Sequence, residues 1–115
     1  MAWSNSKVFA ATVTDVLNNT TAIDLNADTI KCALYDNDIT PDNTVASANT
    51  AYNAGQWAIA GNEVTSTGEW NAGGVALTSV TSSFTSTTYT FDAANTPSAA
   101  AATITNAYGC LHYSD

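Results

Sequence analysis

From residue 22 the pattern changes to period two, and that period restricts the fold more than any other feature. "TIKCALYD" sets Ile30, Cys32 and Leu34 on one side of an extended segment and Lys31, Ala33 and Tyr35 on the other. Beyond it the chain is rich in Thr, Val, Tyr and Phe and is broken at Gly61, Gly68, Gly73 and Gly74. Strands are expected near 75–81, 86–92, 101–105 and 107–113, at the regular spacing of a sandwich or barrel. The run "SAAAATIT" has the alanine content of a helix, but it follows Pro97 and leads into the β-branched "TIT", which favours strand. The expected fold is mainly β: an antiparallel β-sandwich or barrel-like sheet with a short N-terminal helix and one long ordered loop.

The helix is read from "NSKVFAATVTDVLN", residues 5–18, where Phe9, Val13, Val16 and Leu17 follow the i, i+4, i+7, i+8 pattern of one buried face. Val8 lies at the edge of that face, Asn5 or Ser6 supplies an N-cap, and "NNTT" ends the pattern. Residues 36–56 form a long polar connection punctuated by Pro41 and Gly55, with a short helical turn expected near "TVASANTAY". Loops of that length in a small domain are usually functional or ordered by a partner. At 115 residues the chain is read as one β-rich domain, 1–115, which hides roughly two-thirds of its unfolded surface on folding.

Charge narrows the function. Lys7 and Lys31 are the only basic residues, arginine is absent, and the formal net charge is -8. Neutralising phosphates needs clustered Lys and Arg, so the composition argues against partners of the nucleic-acid, nucleotide or anionic-membrane kind. Charged residues make up 10% of the chain, against roughly 25% in typical soluble domains. Thr, Ser, Asn and Ala take their place and make a neutral surface that can be covered with little charge desolvation. That suits a protein packed against other subunits, and equally a secreted β-domain. No apolar run approaches the roughly 18 residues of a membrane span. "MAWSNSKVFAATVTDV" is interrupted by Thr12, Thr14 and Asp15 and fails as a signal peptide, so synthesis and retention in a cytoplasm until assembly are expected. The "NNTT" match to a glycosylation acceptor then carries no weight.

Several residues invite a chemical reading. Asp36, Asp38 and Asp42 crowd one turn and would suit calcium, but the spacing lacks the glycine and the terminal glutamate of an EF-hand. Asp and Asn at a strand end also bond their own turn backbone, and no metal is expected there. Cys32 and Cys110 are the only cysteines; buried free thiols are favoured over a disulfide in a chain without an export signal, and no zinc-type spacing is present. His112 is the sole histidine and falls on the same strand face as Cys110, yet no nucleophile motif accompanies it. Glu63 and Glu69 fix no glycosidase distance across their probable hairpin. Trp57 and Trp70 beside them would either stack on sugars, as in a carbohydrate-binding module, or anchor the sheet or a contact between subunits. Neither an enzyme nor a cofactor is expected.

Taken together, "MAWSNSKVF", "TDVLNNTTAIDLNADTIKCALYDNDITPD", "AYNAGQW", "EWNAGGVAL" and "NAYGCLHYSD" resemble a family of small tailed-bacteriophage structural proteins. The shared order is an N-terminal helix, a D-T-I-K-x-A-L-Y strand, a T-P-D loop, an E-W-x-x-G-G turn and a Y-G-x-L-x-Y strand. The resemblance implies a virion protein, either a decoration or cement protein on the capsid surface or a minor tail component. It implies the major capsid protein as partner and self-association on the lattice. Members of the family usually continue past the last strand with a further β segment, whereas this sequence stops at Asp115. The resemblance therefore implies either a sequence shortened relative to its relatives, or a final strand that is missing or supplied by a neighbouring subunit, which would close an open sheet edge. Trp3, Tyr52, Trp57 and Trp70 are the expected interface anchors, with Asp36, Asp38 and Asp42 in a partner-ordered acidic loop.

Overall fold

The computed structural model describes residues 6–20, 22–58, 61–94 and 101–115. Its elements are α1 (Ala10–Leu17), β1 (Ile30–Tyr35), β2 (Glu63–Val64), β3 (Val75–Ala76), β4 (Thr81–Thr85), β5 (Thr88–Asp92) and β6 (Gly109–Ser114). Two single-turn 3₁₀ helices, Ser47–Asn49 and Gly55–Trp57, lie in the long connection after β1. The fold is mainly β, with antiparallel pairing throughout and one short helix.

β1 is the centre of the larger sheet. β6 runs antiparallel along one edge, from Ile30 opposite Ser114 to Tyr35 opposite Gly109. On the other edge β2 takes the end of β1 and β3 its beginning. The face formed by Ala33, Tyr35 and Leu111 packs with Ile39 and Trp57 into the core, and Phe9, Tyr52 and Tyr113 close around it. Tyr35 is fully buried and its hydroxyl donates to the Trp57 carbonyl at 3.0 Å. The Trp57 ring meets Tyr35 edge-on at 5.1 Å and Phe9 at 6.0 Å, a favoured geometry for aromatic quadrupoles. One ring thus ties the long loop to β1 and to the start of α1.

A second tie crosses the sheet at Glu63. Its Oε2 accepts the Tyr52 hydroxyl and its Oε1 the Gly73 N–H, both at 2.8 Å, while the Tyr113 hydroxyl donates to the Gly73 carbonyl at 2.7 Å. Tyr52 and Tyr113 stack at 4.9 Å with an interplanar angle of 7°. Burial first, and then the Glu63 carboxylate, push the Tyr52 phenol above its usual range, so it remains a donor. Loop, β2, the turn before β3 and β6 are locked in one small network.

Several expectations are corrected. α1 begins at Ala10, after Phe9, with no side-chain cap. The helix is held instead at its first turn by the Ala10 N–H on the Asn43 carbonyl at 2.9 Å and at its second by the Ser47 hydroxyl on Asp15 at 2.7 Å. That attachment uses the front and one polar side of a two-turn helix, so Val13, Val16 and Leu17 are exposed rather than buried. The helix does end in "NNTT". Asn19 adopts φ 54°, Asn19 N–H bonds Val16 O and Thr20 N–H bonds Asp15 O, which is a Schellman stop.

The expected strand 75–81 is divided. Leu77 still bonds the Ile30 carbonyl, but Ser79 turns to φ 51° and the chain leaves to build the β4–β5 hairpin. Residues 101–105 join no ladder, and the part of that expected strand's alanine run before residue 101 lies outside the described residues. β2 was not foreseen. The two sheets share no strand pairing among the described residues, so barrel closure is not seen.

Gly73 and Gly74 owe their place to the β3 crossing. At Gly74, φ is 71° and an added Cβ would fall 1.9 Å from the Cys32 carbonyl oxygen and 2.7 Å from the Ala33 Cα. Only glycine lets the two backbones come this close. Gly68 has φ 85° but open space around it. Gly74→Ala is therefore expected to destabilise the fold by about 3 kcal/mol or more, strain and overpacking together, and Gly68→Ala by only about 1 kcal/mol. Denaturant titration of both variants checks this; equal costs would refute the close-approach account.

Candidate assembly surface

The hydrogen bonds around β1 reveal which edge of the sheet is open. Leu77 N–H reaches Ile30 O and Asp36 N–H reaches Asn62 O on the β2 and β3 side, whereas Asp115 N–H reaches Thr29 O on the β6 side. In an antiparallel ladder the bonded residues alternate. Even-numbered residues of β1 accordingly serve β2 and β3, and odd-numbered ones serve β6. In β6, Gly109, Leu111 and Tyr113 turn their backbone groups toward β1, and Cys110, His112 and Ser114 turn theirs away. Among the described residues no strand pairs with that outer edge. β2 and β3 are two residues long, short enough to be harmless as edges. The open β6 edge is six.

This edge lies in an open cleft of about 1680 Å³, larger than the roughly 300–1,000 Å³ of small-ligand pockets. Phe9 lines it from just before the helix, Val16 from the helix, Leu25 from the loop before β1, and Tyr89 and Phe91 from the hairpin. The stripe of α1 that leaves the core faces outward, with Val16 on the cleft. The hairpin is similarly uncovered: Phe84 and Tyr89 sit opposite each other and are 70% and 58% exposed. It is held by the Asn26 side chain, which accepts from Ser82 N–H and Oγ, and by Ala94 N–H on Thr78 O. Two-stranded hairpins are marginal on their own. Apolar surface of this extent marks contact sites more often than solvent-facing ones.

The residues singled out in the sequence fall elsewhere. Trp57 and Trp70 are 3% and 9% exposed, so their rings are already covered and the expectation that they anchor a partner is corrected. Trp70 closes a tight turn in which Ser66 and Trp70 exchange backbone bonds of 2.7 and 2.8 Å. Tyr52 is half-buried in the Glu63 network. Trp3 lies outside the described residues.

Two of the three aspartates bond their own turns through their carboxylates. Asp36 accepts Asp38 N–H at 2.9 Å, and Asp42 accepts the Thr44 N–H and hydroxyl at 2.8 and 2.6 Å. Those Thr44 donors hold the Asp42 carboxyl below its ordinary range. Gln56 clamps the Asp42 backbone by two bonds, so the loop's order comes from within the chain. Glu69 likewise accepts its own turn's Ser66 hydroxyl, and with Glu63 occupied by Tyr52 and Gly73 both glutamates have structural partners.

One constellation escaped the sequence reading. Cys32, Cys110 and His112 converge on the sheet face opposite Leu111, and both cysteines are free thiols. Cys32 is buried, but Cys110 is exposed, which corrects the expectation of two buried thiols. The hint was the Cys-x-His alternation in "GCLHY"; what the sequence lacks is the register that puts His112 beside Cys32. No helix among the described residues is long and apolar enough to cross a membrane. Comparisons of the chain with protein-family models, with curated proteins and with solved structures find no match.

The edge assignment is directly measurable by residue-resolved hydrogen exchange. In the free protein the amides of Cys110, His112 and Ser114 are expected to exchange at least tenfold faster than those of Leu111 and Tyr113, as opening energies differ between unpaired and laddered groups. Uniform protection along β6 would show that the edge is covered.

Proposed function

We propose that the protein is a structural component of a tailed-bacteriophage virion that binds the outside of the assembled capsid and ties neighbouring major capsid subunits together. The observation that carries this reading is the open six-residue edge of β6 beside a largely apolar cleft. Such an edge accepts a polypeptide strand through main-chain bonds, with side-chain pockets giving specificity. The resemblance of the sequence motifs to phage structural proteins supplies the identity of the polypeptide. The net charge of -8 keeps the free protein from pairing edge to edge, since each copy repels the next.

The mechanism is binding without chemistry. A protein that recognises a surface present only in the assembled shell shifts the assembly equilibrium by its binding free energy. Many copies on one lattice turn modest contacts into strong stabilisation. A minor tail component would use the same surface at another location. A carbohydrate-binding module would rest on the opposed Phe84 and Tyr89, because Trp57 and Trp70 are buried.

Quantitative mass spectrometry of purified particles separates the three. A copy number equal to that of the major capsid protein, or a simple fraction set by shell symmetry, is the expected result. A few copies per particle would move the protein to the tail. Absence from particles, together with glycan binding that Tyr89→Ala abolishes, would replace the assembly reading with the glycan one.

A further inference from the structure

β1 and β6 pair with Cys32 directly opposite His112, and Cys110 two residues before it on the same face. The Cys110 Sγ lies 3.8 Å from His112 Nε2, and one donor atom from each of the three residues falls within 4.8 Å of the others. A tetrahedral zinc with Zn–S near 2.3 Å and Zn–N near 2.0 Å has ligand-to-ligand edges of about 3.5–3.8 Å. The free cluster therefore stands within about 1 Å of a metal-bound one, a gap that small side-chain torsions close. Two sulfurs and an imidazole are soft to borderline donors, which select zinc and its thiophilic neighbours over magnesium or calcium.

From this geometry we propose that Cys32, Cys110 and His112 form a three-ligand site for a thiophilic divalent cation, zinc foremost, with the fourth position open on the exposed side. Cys32 forms the buried floor, and the exposed Cys110 and His112 form the mouth through which the ion enters. Two strands of one rigid ladder hold all three, so little ordering is required on binding.

Hydrogen bonds from Cys32 and then His112 hold the Cys110 thiol well below its usual range. The bond to Cys110, and then burial, push Cys32 above its own. The bond to Cys110 also raises His112. Metal binding takes the thiolate forms of both cysteines and the neutral imidazole, so metal entry releases to solvent whatever protons these groups hold and affinity rises with pH. No electron transfer is involved.

The test uses the reduced full chain with cobalt(II) alone as a spectroscopic probe, then zinc in competition. One equivalent of cobalt should bind with a thiolate-to-metal charge-transfer band and the visible bands of tetrahedral coordination, and zinc should displace it. Cys110→Ser should abolish the charge-transfer band or weaken binding by at least about tenfold, and His112→Ala should weaken it similarly, by the measure that even outer-shell partners reach. Both sites are exposed, so circular dichroism should show these two variants folded even where Cys32→Ser is not. Cobalt binding that survives Cys110→Ser would place the ion on surface carboxylates and overturn the proposal. A Cys32–Cys110 disulfide in the isolated protein with no cobalt uptake after reduction would also overturn it.

Discussion

The antiparallel register between β1 and β6 decides what both faces and the outer edge of the sheet can do. Setting Ala33 beside Leu111 puts that face over Trp57 and makes it the core. The same register necessarily places Cys32 beside His112 on the reverse face. It also directs the unbonded backbone groups of Cys110, His112 and Ser114 outward. A slip of one residue would exchange the two faces and bury the polar set. The register is guarded from the other side of β1 by Gly74, where the β3 backbone passes so close that no other residue fits, and across the sheet by the Glu63 network joining Tyr52, Gly73 and Tyr113.

This is a small core for the chain it organises. The apolar residues that are buried gather around β1, Trp57 and Trp70, while Val13, Val16, Leu17, Phe84 and Tyr89 remain at the surface. A free monomer would leave a scatter of such residues; here, apart from Val8 and Tyr108, the exposed large apolar residues fall on α1 and the β4–β5 hairpin, with Val16 and Tyr89 on the cleft above an unpaired strand. Burying that surface against another chain would supply the hydrophobic stabilisation that the monomer lacks. The acidic loop plays a different part. The Asp36 and Asp42 carboxylates are engaged in their own turns, and the loop's order comes from Gln56 and the aromatic core.

Local features were legible wherever a short-range rule governs them. Period two located β1 and its two faces, the Thr- and Tyr-rich runs located β5 and β6, and the asparagines of "NNTT" supplied the helix stop, whereas β4 (Thr81–Thr85) falls between two expected strands. The mainly β class followed. Nonlocal features were not legible. The helix pattern was real, but its stripe faces the cleft, because periodicity reports amphipathicity and not what covers it. Trp57 and Trp70 looked like contact residues because aromatic content does not distinguish core from interface. β2 is two residues long and exists only because β1 offers it a partner. The Cys32, Cys110 and His112 cluster depends on pairing across more than seventy residues of sequence, which no spacing rule encodes.

The proposed assembly role makes β6 a strand that a neighbour completes, and the most direct measurement is a density map of the proposed virion at side-chain detail around this chain. The account predicts a polypeptide from an adjacent subunit lying along β6, with main-chain bonds to Cys110, His112 and Ser114 and side chains packed between Val16 and Tyr89. A map in which the chain sits on the particle with the β6 edge facing solvent, held through the 36–56 loop instead, would contradict it.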